Sequence, residues 1–324
     1  MIEFENINKT YRVAKRQAGL GNAMKALFSR EYDIVHALND VSFAIQDGEM
    51  VGYIGPNGAG KSTTIKILCG VLTPDSGKCV INGHTPWKER IAHAREIGVV
   101  FGQRSQLWWD VPVIDSFELV RDMYKVDEKL YKNNLAELSE LLDLEELLKT
   151  PARSLSLGQR MRCEIAASLL HNPKTLFLDE PTIGLDAVSK IAVRQFIKKL
   201  NAEHGTTVIL TTHDMQDIEA LTERVLLIGK GRILLDGNID DLKKHVSKRK
   251  TLVIKYRGKV PEICMGMSVV EAKEGHLVIS LEPSVVQVSD AIAHLAAQTE
   301  LLDVSVSGIT TEEMVATLYK EYRI

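Results

Sequence analysis

The sequence predicts an α/β domain built on a parallel sheet, followed by a small α+β domain. Three observations point there. Thr175–Leu178, Thr206–Thr211 and Arg224–Ile228 are short strand-like runs separated by helical segments, as in a sheet buried on both faces. Met50–Ile54 is a further short apolar strand, and it leads through a glycine-rich loop into an apolar helix, Thr63–Val71. Beyond a basic joint at Lys243, Lys244, Lys248, Arg249 and Lys250 the pattern changes. Strand-like runs at Leu252–Tyr256 and Leu277–Leu281 precede a helical run, Val285–Gln298, a strand, Leu301–Val306, and an amphipathic helix from Thr311. A chain of 324 residues suits about two domains, here 1–243 and 244–324.

The remaining elements follow in order. Ile2, Phe4, Ile7 and Tyr11 give residues 1–12 a strand pattern. Residues 13–35 read as a basic insertion in which Leu20, Met24, Leu27 and Phe28 share one helix face. It lies on a membrane surface, packs on a membrane-spanning partner, or is a solvated helix with one buried face. His36–Ile45 is a strand, Asp47-Gly48-Glu49 a turn, and Gly98–Phe101 another strand. Residues of about 110–165 form a helical subdomain, with Leu135, Leu138, Leu141, Leu142 and Leu144 on its apolar side.

Composition excludes several classes. Hydrophobic residues make up 45% of the chain, enough for a sizeable core. The net charge of -3 argues against a nucleic-acid partner. The longest stretch without charged residues, Met50–Gly60, is far short of the roughly 18–20 apolar residues of a membrane span. Cys69, Cys79, Cys163 and Cys264 form no C-x-x-C pair, and a reducing cytoplasm fits them.

Gly55-Pro56-Asn57-Gly58-Ala59-Gly60-Lys61-Ser62 fits G-x-x-x-x-G-K-[ST]. The glycines let backbone N–H groups turn around a phosphate, and the helix that follows, with Thr63 in its first turn, presents its positive end. Lys61 is placed to reach the β- and γ-phosphates, and Ser62 to ligate Mg²⁺. Thr175–Leu178 ends in Asp179-Glu180, at the carboxyl edge where parallel sheets bind ligands. Asp179 suits Mg²⁺ and Glu180 suits a general base; a turn with a helix cap at Pro181-Thr182 is the alternative. His213 follows the strand Val208–Thr212 and is either a helix cap or a γ-phosphate contact. Gln103, after Gly98–Phe101, is placed to sense water or Mg²⁺.

Leu155-Ser156-Leu157-Gly158-Gln159, upstream of Asp179, resembles the L-S-G-G-Q signature of the ABC ATPase family. The order of phosphate loop, Gln103, signature, Asp179-Glu180, Gly184-Leu185-Asp186 and His213 is that of the family over residues 1–240. The resemblance implies a P-loop NTPase fold that binds ATP and Mg²⁺ and hydrolyses ATP. It implies head-to-tail pairing with a second ATPase subunit, identical or not, around two ATP molecules. Ser156 and Gly158 would then contact the γ-phosphate held by the other subunit. Glu180 would be the base, His213 the switch, Asp186 the coupling-loop acid, and Ser62, Gln103 and Asp179 the metal ligands.

Leu157 departs from the signature glycine, and activity is still expected because Ser156 and Gly158 remain. Tyr11 resembles the adenine-stacking aromatic but lies 50 positions before Lys61, and Tyr32 is the alternative. One ATPase domain with a small C-terminal domain is similar to ATPases of ABC-2-type bacterial exporters. That implies permease partners and a peripheral place on the cytoplasmic face of the cell membrane. Trp108 and Trp109, after Gln103, are read either as lining a groove for a coupling helix or as core. An importer ATPase, a soluble ABC ATPase acting on DNA or ribosomes, and a regulatory protein with a dead site are the competing readings.

Overall fold

The computed structural model describes residues 1–14, 32–102, 104–246 and 249–322. Gln103 and the predicted helix face of Leu20, Met24, Leu27 and Phe28 lie outside the described residues. The chain divides into two compact units, Met1–Asp236 and Gly237–Ile324.

In the first unit, β1 (Ile2–Ala14) pairs antiparallel with both β2 (Tyr32–Ile45) and β4 (Ser76–Ile81). Alternation turns Ile2 and Phe4 inward, and Asn6, at φ 50°, lies between register shifts that still leave Ile7 buried. The β1 and β2 arms at residues 13–14 and 32–35 are strand, so the inserted segment is shorter than 13–35.

A second sheet has the order β5-β6-β7-β3-β8-β9. Its strands are β3 (Met50–Ile54), β5 (Ile97–Phe101), β6 (Thr175–Asp179), β7 (Thr207–Thr211), β8 (Arg224–Gly229) and β9 (Arg232–Asn238). The pairs β5–β6, β6–β7, β7–β3 and β3–β8 are parallel. Every residue of β7 is buried, which is why its sequence lacks polar alternation. β8 and β9 are joined by Lys230-Gly231, both at positive φ (48° and 74°), a backbone suited to a tight hairpin. Ile2, Phe4, Phe43, Val51, Tyr53, Ile65, Phe177, Ile209 and Leu226 join both sheets in one core. Phe4 and Phe43 stack there at 4.8 Å.

Helix α1 (Lys61–Leu68) leaves the glycine loop, and α2 (Arg90–Glu96) precedes β5. The helical subdomain comprises α3 (Val113–Tyr124), α4 (Glu128–Leu142) and α5 (Leu157–Leu169). Asp127 caps α4 through its side chain. Next come α6 (Ala187–His204) and α7 (Met215–Leu221), capped by Asp186 and Asp214. Gly205 ends α6 in the left-handed region at φ 64°.

His93 is buried and His171 half-buried in this unit. Each donates from Nε2 to a backbone carbonyl, Leu68 at 2.7 Å and Ile97 at 2.9 Å, and His171 stacks on Tyr124. Burial lowers both pKa values from the ordinary 6.5. As pH falls, the unfolded chain therefore takes up protons first. Stability is complete above the unfolded value and is lost below it, by up to about 1.4 kcal/mol per pH unit for each histidine. Urea midpoints are expected to drop as pH falls through the ordinary histidine value of about 6.5, and His93→Gln with His171→Gln should flatten that slope.

The second unit is built on an antiparallel sheet of order β11-β12-β10-β13. Its strands are β10 (Lys250–Arg257), β11 (Met267–Lys273), β12 (His276–Leu281) and β13 (Glu300–Ser307). Leu252, Ile254, Tyr256, Leu277, Ile279 and Leu281 share one face and pack with Ala291 and Leu295 of α9 (Val288–Ala296). β11 escaped the sequence reading because Ser268–Lys273 is exposed throughout and carries no alternating apolar signal. The unit also begins earlier than residue 244. Helix α8 (Ile239–Val246) packs on α10 (Thr311–Glu321), whose Met314, Val315 and Leu318 are buried, and this draws the joint back to Asp236.

Candidate nucleotide-binding site

The candidate site lies at the carboxyl edge of the parallel sheet, where β3, β7 and β6 are consecutive neighbours. β3 is inner and buried, and its end delivers the loop Gly55–Ser62 to that edge. Gly60 has φ 117°, and a Cβ there would stand 2.6 Å from the Ala37 carbonyl oxygen, so only glycine fits. The first turn of α1 leaves the N–H groups of Lys61, Ser62 and Thr63 without helical acceptors. Asn57, Gly58 and Ser62 are exposed, whereas Ala59 and Lys61 are buried. Lys61 Nζ donates to the Gly55 and Pro56 carbonyls at 2.5 and 3.1 Å. Burial lowers its pKa, and the charges of Glu180 and Asp179 oppose that shift. An ammonium beside the unpaired N–H groups of a helix N-terminus is suited to an anion.

β6 brings Asp179 opposite Thr211 of β7, and the Thr211 hydroxyl donates to Asp179 Oδ1 at 2.5 Å. Glu180 follows in the left-handed region at φ 55°, an unfavourable backbone for a side-chain-bearing residue. Its N–H donates to the Thr211 carbonyl at 2.9 Å. His213 Nε2 lies 3.1 Å from Glu180 Oε1. The Ser62 hydroxyl and the Asp179 carboxylate are hard oxygen donors of the kind Mg²⁺ takes. Thr182 does not cap a helix; its hydroxyl donates to Asp217, which also accepts from Thr212 at 3.1 Å and from Arg194 Nε at 2.6 Å. Asp217 is fully buried, so this network fixes the loops that carry Glu180 and His213.

Ser156 is exposed and caps α5, with Gln159 closing a capping box. Gly158 is buried, and a Cβ there would meet Ser189 Oγ at 2.4 Å. Ser189 in turn donates to Asp186 through N–H and hydroxyl, both at 2.9 Å, and this holds the Asp186 pKa below its ordinary value. Leu157 packs toward Gly184: a Cβ on Gly184 would lie 2.8 Å from Leu157 Cδ2. The departing signature residue is thus a contact with the loop before Asp186.

Residues 38–183 match the family described as ABC transporter. The chain is 32% identical over 230 residues to the probable sulfate/thiosulfate import ATP-binding protein CysA of Chlorella vulgaris, covering 71% of this chain and 96% of that protein. The chain belongs to the ABC transporter ATP-binding family. It is also 36% identical over 202 residues to the linearmycin resistance ATP-binding protein LnrL of Bacillus subtilis (strain 168), covering 62% of this chain and 64% of that protein. Among solved structures, the dimeric ATP-binding cassette MJ0796 in a post-hydrolysis state bound to ADP and Pi superposes with a TM-score of 0.61 at 27% identity. That match covers 74% of this chain and 98% of the cassette. The chain spans between 35% and 66% of the length of several curated relatives it matches.

As an ABC ATPase fold, this unit gathers most of the expected site residues. The glycine loop, Asp179, Glu180 and His213 meet at one sheet edge, and the signature helix meets the Asp186 turn. Tyr11 lies on β1 opposite Val35, exposed, with Lys9 Nζ 6.0 Å from its ring, while Tyr32 is paired with Ala14 at the far end of the arm. Trp108 and Trp109 are 58% and 51% exposed, so the core reading fails for both. Thr211, Arg194 and Asp217 were missed. Their only signal is polarity at the end of an apolar strand and inside amphipathic helices. Among the described residues no helix is long and apolar enough to cross a membrane.

Proposed function

We propose that the chain is the ATP-hydrolysing subunit of an ABC transporter of the exporter type. The observation that carries this is the junction of an anion cradle with Asp179, Glu180 and His213 at one sheet edge, in a chain whose signature serine faces solvent. Lys61 and the N–H groups of the loop hold the β- and γ-phosphates. Ser62 and Asp179, with Gln103, would hold Mg²⁺, which would neutralise charge on the phosphates. Glu180 accepts the proton of the attacking water, and His213 orients Glu180 and the γ-phosphate. Tyr11 stacks on the adenine. Ser156 and Gly158 complete the site of a second subunit, and Asp186 links the two sites. The dimeric MJ0796 cassette supports the pairing, and the resistance function named for LnrL supports export over import.

Trp108 and Trp109 supply the membrane-facing surface. An exposed tryptophan pair five residues after Gln103 suits an apolar helix of a permease that keeps the subunit on the cytoplasmic face of the membrane. Trp108→Ala with Trp109→Ala is expected to leave basal ATP turnover within about twofold and to abolish its stimulation by the membrane subunit in proteoliposomes. Full stimulation in the double variant would remove this surface from the coupling.

A further inference from the structure

Glu164 is a buried acid in the middle of the signature helix, only 4% exposed, eight residues after Ser156. Its side chain accepts hydrogen bonds from the segment that follows Gln103. The Ser105 hydroxyl donates to Oε1, and the Gln106 N–H donates to Oε2 at 3.1 Å. The Gln106 side chain returns a bond to the Glu164 backbone carbonyl at 2.9 Å. Ser105 also accepts from the Leu107 N–H at 3.2 Å, which folds the segment tightly, and Leu107 is buried. One turn before Glu164, the Arg160 guanidinium lies 5.7 Å over the Trp109 ring. The segment is therefore joined to α5 at two levels. Burial raises the Glu164 pKa, and the bonds from Ser105 and Gln106 oppose that shift.

We propose that Glu164 is a positioning residue that clamps the segment after Gln103 to the signature helix, so that both move as one body. A displacement of that segment then carries Ser156 with it. The clamp rests on the reading that Ser156 meets ATP held by a second subunit. It predicts that loss of Glu164 weakens ATP-driven pairing without touching the phosphate loop of the same chain.

The test uses the full chain carrying Glu180→Gln, in which ATP is expected to hold the paired state. Glu164→Gln keeps the side-chain volume but turns one acceptor into a donor, so the Ser105 hydroxyl and the Gln106 N–H can no longer both donate to it. It should raise the ATP concentration for half-maximal dimerisation, read by light scattering, about tenfold or more, as for the loss of a hydrogen bond to a charged group. The Kd for a fluorescent ADP analogue, which reads nucleotide binding within one chain, should stay within twofold. Ser105→Ala probes the same bond from the other side, and combining it with Glu164→Gln should cost less than the two single effects together. Unchanged dimerisation in a folded Glu164→Gln variant, or strict additivity with Ser105→Ala, overturns the clamp alone. A parent that stays monomeric in ATP overturns the paired reading and the clamp with it.

Discussion

Glu180→Gln is expected to lower ATP turnover by about 10²- to 10⁴-fold, the usual worth of a positioned general base. The carboxamide keeps the size of the side chain but cannot accept the proton of water at neutral pH. The backbone of Glu180, at φ 55°, is held by its own N–H bond to the Thr211 carbonyl, and the substitution leaves that bond intact. Nucleotide binding should persist, because Lys61 and the loop N–H groups are unchanged. The paired state should accumulate in ATP, since the step that reopens it is blocked. Single-turnover measurement of phosphate release reads the loss directly, and turnover within tenfold of the parent would remove Glu180 as the base.

Asp217→Ala is expected to destabilise the first unit by about 3–5 kcal/mol. Asp217 is fully buried, and it satisfies Arg194, Thr182 and Thr212 at once. Its removal leaves a guanidinium that is only 14% exposed with Asp214 as its remaining carboxylate, at 3.4 Å. The two hydroxyls lose their acceptor as well. Urea unfolding followed by far-ultraviolet circular dichroism measures the loss. Adding Arg194→Met removes the unpaired charge and should recover part of the stability. Turnover should not recover with it, because Thr182 and Thr212 hold the loops of Glu180 and His213 only while Asp217 is present. A loss below about 1 kcal/mol would show that the network contributes no more than an exposed pair.

The sequence alone made the candidate site legible. A phosphate cradle needs N–H groups, glycines and a lysine within eight consecutive positions, so Gly55–Ser62 is legible by spacing. Asp179-Glu180 and His213 are legible because each closes a short apolar run, and a parallel sheet exposes its carboxyl ends together. The same locality made the buried parallel strands readable. Only the tertiary structure decided what joins these parts. Ser105 and Glu164 are 59 positions apart, and Thr182 and Asp217 are 35 apart, so no local period carries either contact. The exposure of Trp108 and Trp109 depends on what packs around them, and so does the contact of Leu157 with Gly184. The start of the second unit at Gly237 rests on α8 packing against α10 at the other end of that unit. Backbone geometry acts over a few residues and writes itself into short motifs. Side-chain packing acts between segments that the chain brings together only on folding.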